Sequence, residues 1–192
     1  MKSLLVYCHP DPASFSAAVR DRAVDALQAR GDEIRVDDLY AEGFDPLFTA
    51  DERQRHLERG GDPAVAPYVD DLLWCQRLVL VYPTWWSGQP AMLKGWIERV
   101  WVNGVAWDLP AGANRLRGRL HNVRRIVAIT SHGSSKLTNA LEGEVGKRVV
   151  TRTLRSLCHP LTRTTWLAVY GIDTARDEER RRFLEKVERK LS

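Results

Sequence analysis

The stretch LVLVYPTWWSGQPAMLKGWIERVWV, residues 78–102, decides the fold. It begins with Leu78–Tyr82, a continuous apolar run of the kind that parallel sheets bury on both faces. After the loop, Pro90 suits the first turn of a helix, and apolar residues then recur at helical spacing. These residues are Met92, Leu93, Trp96, Ile97, Val100 and Trp101. A buried strand, a loop and an amphipathic helix in this order predict an α/β unit.

The same alternation of apolar runs and helical segments extends over residues 1–192 and predicts a single domain. The predicted strands are Ser3–Cys8, Glu33–Leu39, Leu78–Tyr82, Arg125–Thr130 and Thr164–Tyr170. Helices are expected after strand one up to Gly31, over Thr49–Leu57 and Ala66–Gln76, after Pro90, from the SHGSSKLT turn to about Leu157, and from an N-cap at Thr174. Residues 103–122 are expected to form a loop. The pattern favours a flavodoxin-like doubly wound sheet of five parallel strands with helices on both faces.

Composition and charge limit the class of protein. With 192 residues, 44% hydrophobic and 28% charged, the chain is predicted to be globular and large enough to bury its own core. Residues 1–96 hold 10 Lys and Arg against 15 Asp and Glu, whereas residues 97–192 hold 19 against 10. The basic second half indicates an anionic partner.

The cysteines and the N-terminus bear on the compartment. Cys8, Cys75 and Cys158 are an odd number without CxxC spacing, which argues against disulfides and against a metal site, and favours buried apolar thiols. The first apolar run is too short for a signal peptide or a membrane span. We expect a cytoplasmic protein without membrane insertion.

Three unusual loops follow predicted strands one, three and four. They read HPDPASFS from His9, PTWWSGQP from Pro83 and TSHGSS from Thr130. Ligands of open parallel sheets bind at the carboxyl ends of the strands, so these loops are predicted to meet in one crevice.

The first loop points to phosphate. It contains no glycine, which excludes the glycine-rich turns of dinucleotide-binding and NTP-binding proteins. Free amides at the start of the next helix, the hydroxyls of Ser14 and Ser16, and His9 would bind phosphate, although either serine alone would also serve as a simple N-cap. A phosphatase that uses Cys8 is disfavoured, because the arginine required after five intervening residues is replaced by Ser14.

The other two loops point to a planar ligand and to a histidine at the site. Trp85 and Trp86 offer flat apolar surface for an aromatic ligand, with core packing or a dimer interface as the alternative. His132 is either structural or part of the site. The basic stretch from Arg115 to Arg125 would meet phosphate or simply be solvated. Nucleic acid is not expected as a partner, because the aromatic residues lie elsewhere in the sequence.

The stretch YPTWWSGQPAMLKGWIERVW, together with LLVYCHPDPASFS, DDLYAEGFDP and ITSHG, closely resembles the flavodoxin-like NAD(P)H:quinone oxidoreductases. This family includes quinone reductases and modulators of drug activity. The resemblance covers the chain nearly end to end. It implies a flavin, FAD or else FMN, in the crevice, NAD(P)H as co-substrate, and a homodimer with the substrate site at its interface. The implied reaction is two-electron, ping-pong hydride transfer through flavin N5 to a quinone or a similar acceptor.

The resemblance also assigns residues. It places the flavin phosphates on His9, Ser14, Phe15 and Ser16, the isoalloxazine along Pro83, Thr84, Trp85 and Trp86, and the pyrimidine side of the ring on Thr130, Ser131, His132 and Gly133. The chain departs from the family at the downstream Tyr and His that relay charge, since an ungapped count places Thr138 and Glu144 there. The family's loop at the positions of Thr130 to Gly133 reads TTGG, and His132 replaces the first glycine of that loop. His132 is the candidate catalytic residue. The alternative function is a flavin-binding or nucleotide-binding regulatory subunit of a membrane transporter.

Overall fold

The computed structural model describes residues 1–192 and contains one five-stranded sheet and a small hairpin. The strands are β1 Lys2–Tyr7, β2 Glu33–Asp38, β3 Arg77–Pro83, β4 Trp107–Asp108, β5 Arg117–Gly118, β6 Arg125–His132 and β7 Arg163–Tyr170. The main sheet has the order β2-β1-β3-β6-β7, and every neighbouring pair is parallel. The order reverses at β1, where doubly wound sheets bind ligands. The predicted flavodoxin-like fold is confirmed, with β2 on the edge as expected.

Helices cover both faces of the sheet. They are α1 Phe15–Ala29, α2 Ala50–Arg55, α3 Ala66–Trp74, α4 Ala91–Val100, α5 Lys136–Leu141, α6 Val145–Arg148 and α7 Asp177–Leu191, with a π-helical turn at Val149–Leu154 and 3-10 turns at Pro63–Val65 and Ile172–Thr174. No helix is both long and apolar enough to cross a bilayer.

Alternate residues of each central strand enter two different cores. Leu4 of β1 packs in a cluster that includes Trp96 of α4, whereas Leu5 packs in a cluster that includes Leu27 of α1 and Phe183 of α7. Because side chains alternate along a strand, a strand covered on both faces must be apolar at every position. This requirement explains the continuous apolar runs in the sequence.

A close approach of two backbones explains the glycine of the LKGW motif. A Cβ at Gly95 of α4 would lie 2.4 Å from the carbonyl oxygen of Pro46. Pro46 ends the GFDP segment, which crosses over α4 before α2 begins. Two of the segments that carry the resemblance are therefore in direct contact, and only glycine fits between them.

Three predictions about secondary structure are wrong. Residues 103–122 are not only a loop, because they contain the β4–β5 hairpin. The helix expected to run to Leu157 is broken, since Gly143 and Glu144 adopt left-handed φ values of 87° and 48° that end α5. Thr174 is not the N-cap of the last helix but lies in a 3-10 turn, and α7 begins after Arg176. The first turn of α7 is acidic and its last turn is basic, so both ends complement the helix dipole.

Candidate active site

The first wall of a crevice is the loop between β1 and α1. Ser14 is the N-cap of α1, because its hydroxyl oxygen accepts a hydrogen bond of 3.2 Å from the Ala17 amide. The amides of Phe15 and Ser16 have no acceptor within the chain. They stand at the positive end of the helix dipole, where phosphate oxygens bind. The two interpretations of Ser14 are therefore compatible, since the cap leaves two donors free beside it.

His9 joins the first wall to the second. Its Nδ1 lies 3.0 Å from the amide nitrogen and 3.1 Å from the carbonyl oxygen of Asp11, and Nε2 has no partner within the chain. The centroid of the His9 ring lies 6.0 Å from that of Trp85. The imidazole is thus held in place with its Nε2 free.

The second wall is a strained turn. Trp85 and Gly88 exchange two backbone hydrogen bonds of 3.2 and 3.1 Å, and the residues between them, Trp86 and Ser87, have φ values of 49° and 61°. This type I′ geometry normally requires Gly, Asn or Asp, and other residues in the left-handed region lose about 1–2 kcal/mol each. The Trp86 side chain is fully exposed, at 102%. Core packing therefore does not explain Trp86, whereas Trp96 and Trp101 are buried as predicted.

The third wall ends in a buried histidine. His132 is the last residue of β6, is 6% exposed, and stacks on Tyr170 of β7 with ring centroids 4.7 Å apart. Its Nε2 lies 3.4 Å from the hydroxyl of Thr84, which is 2.8 Å from the hydroxyl of Thr130. Its Nδ1 is buried and has no hydrogen-bond partner. A buried polar atom without a partner within the chain requires an explanation, and at the rim of a cavity a bound ligand is a candidate partner.

Burial also determines the protonation state of His132. Desolvation lowers the pKa of the imidazole, although the Asn139 side chain and the charges of Glu144 and Glu142 act in the opposite direction. The ring is therefore neutral at physiological pH and offers one N–H, not a positive charge.

The three walls enclose a cavity of about 890 Å³ at the carboxyl end of the sheet. Among the residues predicted for the site, those that line the cavity are His9, Ser14, Phe15, Ser16, Pro83, Thr84, Trp85, Trp86, Ser131, His132 and Gly133. Thr130 is the exception. It is 3% exposed and lies beneath the cavity, where it supports Thr84. The reason is that β6 extends two residues beyond the predicted end, so His132 and not Thr130 reaches the rim.

Sequence reasoning missed the fourth side of the cavity. Asn139, Glu142, Ile172, Asp173 and Arg180 line it as well. The Nε atom of Arg180 is buried without a partner, while Nη2 donates to the carbonyl of Ile172 at 3.3 Å. The loop after strand five also lies at a carboxyl end of the sheet, and that rule identifies Ile172 and Asp173. Nothing distinguishes Arg180 within the charged run of α7.

Several other candidates lie outside the crevice. Thr138 is exposed and its hydroxyl lies 2.9 Å from that of Ser135, while Glu144 pairs with Lys147 at 2.7 Å, so neither takes the place of the family's relay. The basic stretch ends at Arg125, the first residue of β6, and therefore lies at the opposite end of the sheet. Cys8 is fully buried, and burial raises its pKa to about 12, which removes it as a nucleophile.

The residues of the crevice fit a flavin nucleotide. The free amides at the start of α1 match a phosphate, and the indole of Trp86 matches a planar ring. The amides of Gly133 and Ser134 have no acceptor within the chain, and Nδ1 of the preceding residue, His132, is also unpartnered. These donors match the polar edge of an isoalloxazine.

The sheet order and a crevice of donors at the switch point define a flavodoxin-type α/β protein. The family model described as "Flavodoxin-like fold" matches residues 1–191, and the chain belongs to this family. Similar proteins include NAD(P)H dehydrogenase [quinone] 1 of Cavia porcellus, with 29% identity over 71% of this chain and 55% of that protein. The uncharacterized NAD(P)H oxidoreductase YcaK of Escherichia coli is 35% identical over 54% of each chain. The alignments thus span about half the length of these curated relatives, and their names support the predicted resemblance.

Solved structures agree with the fold. Smu.1420 from Streptococcus mutans UA159 superposes with a TM-score of 0.86 at 30% identity, over 100% of this chain and 98% of that one. An NAD(P)H:quinone oxidoreductase from Methanothermobacter marburgensis superposes with a TM-score of 0.83 at 23% identity, over 100% and 95% of the two chains. At that lower identity, the likeness shows the fold alone.

Proposed function

We propose that the chain is a flavin-dependent NAD(P)H:quinone oxidoreductase. The observation that carries the proposal is one crevice in which unpaired backbone donors, an exposed indole and a buried, unpartnered imidazole stand together. When bound, the flavin supplies the redox-active ring, and the protein supplies binding, orientation and electrostatics.

The phosphate of the cofactor would bind at the start of α1. The free amides of Phe15 and Ser16 donate to it, and the free Nε2 of His9 is available on the same side. Backbone donors at a helix end need no side-chain charge, so this half of the crevice binds an anion although the first half of the chain is acidic.

Of FAD and FMN, we propose FAD. The cavity of about 890 Å³ continues past α1 to Asp173 and Arg180, and the buried Nε of Arg180 is a donor for a second phosphate. Chromatography of the released cofactor separates the two.

His132 would stabilise negative charge on the pyrimidine side of the ring. When the Thr84 hydroxyl donates to Nε2, the proton of the neutral imidazole is on Nδ1, which would then join the free amides of Gly133 and Ser134 as a donor. Preorganised donors of this kind contribute about 2–4 kcal/mol each to a transition state that develops charge. Tyr170 holds the ring plane by stacking.

A single crevice implies that nicotinamide and quinone use it in turn, which gives ping-pong kinetics. A homodimer would complete the site, because Trp86 and three apolar side chains near the mouth are exposed: Leu137 at 70%, Leu141 at 81% and Val145 at 49%. Sedimentation velocity should show a dimer that Leu141→Lys dissociates. No observation favours the transporter-subunit alternative.

The test has two parts. The purified protein should be yellow and should oxidise NAD(P)H with menadione faster than free flavin does. His132→Ala should lower the rate at which NAD(P)H bleaches the bound flavin by about a hundredfold without loss of cofactor, whereas Thr138→Ala, a matched change at an exposed hydroxyl, should not. A colourless protein that binds neither FAD nor FMN contradicts the proposal, and an unaffected His132→Ala variant removes the role of His132.

A further inference from the structure

The end of the sheet opposite to the crevice is strongly basic. Residues 109–129 contain five Lys and Arg and no Asp or Glu, and residues 149–165 contain three Lys and Arg and no Asp or Glu. The topology brings the starts of β1, β6 and β7 to this end, together with the loops that precede β6 and β7. We call this surface the basic face, and its members are Lys2, His121, Arg124, Arg125, Arg155, His159 and Arg163.

The cations of the basic face are close to one another. Arg125 and Arg163 are direct partners in the register of β6 and β7, and the Arg124 guanidinium lies 3.1 Å from Nδ1 of His159. His159 in turn lies 6.3 Å from His121, centroid to centroid. Since the Arg124 guanidinium donates to Nδ1 of His159, that imidazole is neutral. The fixed charges of the face are its arginines, and Arg125 and Arg163 stand side by side as like charges that repel one another.

Acidic residues do not neutralise the basic face. Arg124, Arg125, Arg155 and Arg163 take part in no ion pair of the structure. The buried carboxylate nearby, Asp32, is already occupied by Arg77, Arg30 and the N-terminal ammonium. Glu33 is the one acidic residue that lines the open depression between Lys2 and Arg124. The face therefore keeps its positive potential.

An exposed apolar side chain lies among the basic residues of this face. Leu161 lies between His159 and Arg163 in the loop before β7 and is 77% exposed. On the adjoining hairpin, Leu116 stands between Arg115 and Arg117 and is 51% exposed. Exposed leucines flanked by arginines are typical of surfaces that enter the boundary between lipid headgroups and acyl chains.

We propose that the basic face docks the protein peripherally on an anionic lipid bilayer. Arginines would bind the phosphate headgroups, and Leu161 would enter the interface. Single-stranded nucleic acid is the weaker candidate because it requires stacking surfaces. The aromatic ring that borders the face, Trp74, is already covered by the cations of Lys2 and Arg35, at 5.6 and 4.2 Å from its centroid.

Docking leaves the crevice open to solution. His132 is at the carboxyl end of β6 and Arg125 at the amino end, so the eight residues of the strand separate the two sites. At about 3.3 Å per residue this distance is roughly 25 Å. Binding to membranes and binding in the crevice are therefore separate properties that separate variants can test.

The experiment is co-sedimentation with vesicles of phosphatidylcholine, with and without phosphatidylglycerol. The protein should sediment only with the anionic vesicles and should be released by salt. Arg124→Gln with Arg163→Gln should weaken binding about 25-fold, since each basic residue near such a surface contributes about 1 kcal/mol. Leu161→Ser should weaken binding as well. Unchanged thermal unfolding of each variant confirms that it folds.

The matched control is Lys136→Gln with Arg181→Gln, which removes the same charge from exposed positions at the crevice end of the molecule and should leave binding unchanged. Equal losses of vesicle binding in both double variants would show that only the net charge of the protein matters, and would overturn the proposal. Absence of binding to anionic vesicles would overturn it too, as would tighter binding of single-stranded RNA that Leu161→Ser does not alter. None of these readouts depends on the flavin.

Discussion

Asp37 should make the stability of this protein fall as the pH rises. The side chain is 3% exposed at the end of β2, and its Oδ2 has no hydrogen-bond partner. Burial, the neighbouring Asp71 carboxylate and the charge of Glu42 together raise the pKa of Asp37 to about 8, against a smaller opposite effect of Arg35. Arg35 pairs with Asp71 at 2.5 Å, so its guanidinium is engaged by that carboxylate and not by Asp37.

The sign and size follow from proton linkage. Between the pKa of an unfolded aspartate, about 3.9, and that of Asp37, the folded state holds one more proton than the unfolded state, so stability decreases as pH rises. The slope approaches 1.4 kcal/mol per pH unit, which gives a loss of about 4 kcal/mol between pH values of about 4 and 7. Asp37→Asn keeps the shape and can donate to Asp71 without binding a proton.

Urea unfolding from acidic to mildly alkaline pH measures the effect. At neutral pH, the free energy of unfolding of Asp37→Asn should exceed that of the wild type by up to about 4 kcal/mol. The difference should vanish near a pH of about 4. Asp25→Asn, at an exposed position of α1, is the control and should run parallel to the wild type. If Asp37→Asn also runs parallel to the wild type, Asp37 ionises normally and the reasoning fails.

Three further variants test a buried ion pair, a close backbone contact and a strained turn. For each, chemical denaturation measures the free energy of unfolding. Arg77→Met should destabilise by about 3 kcal/mol, because it leaves Asp32 buried with fewer partners. Gly95→Ala should lose up to about 3 kcal/mol, since its Cβ would overlap the Pro46 backbone. Trp86→Asn with Ser87→Gly should raise the free energy of unfolding by about 1–2 kcal/mol, because it replaces two strained left-handed residues. The same double variant should bind flavin more weakly in a fluorescence titration.

The sheet was predictable from the sequence because its physics is local. A strand buried on both faces must be apolar at every position, and Leu78–Tyr82 meets this condition without reference to the rest of the chain. The β4–β5 hairpin was not predictable, because strands of two residues have no period. The break after α5 was missed for a different reason. Glu144 adopts a left-handed backbone conformation, which is rare for glutamate and so is not predicted by its residue type.

The candidate site was predictable where it lies directly after a strand. The loops from His9 and from Pro83 were located by the rule for carboxyl ends, and their residues line the cavity. Arg180 was not predictable, because it reaches the cavity from α7, far along the chain, through packing that no local pattern encodes. Thr130 was misplaced by two residues, which in a strand changes which side chain reaches the rim.

Backbone strain in this chain concentrates in the second wall of the crevice and in the segment hydrogen-bonded to it. The three non-glycine residues with positive φ are Trp86, Ser87 and Glu144. They belong to two segments, residues 85–88 and 142–146, that are hydrogen-bonded to each other. The Gly146 amide donates to the Ser87 carbonyl at 3.1 Å, and the Ser87 hydroxyl donates to Glu142. Neither segment buries a large apolar side chain in return, so packing does not account for the strain. Strain of this kind persists where it positions groups for a ligand, and here it positions the indole of Trp86 at the mouth of the cavity.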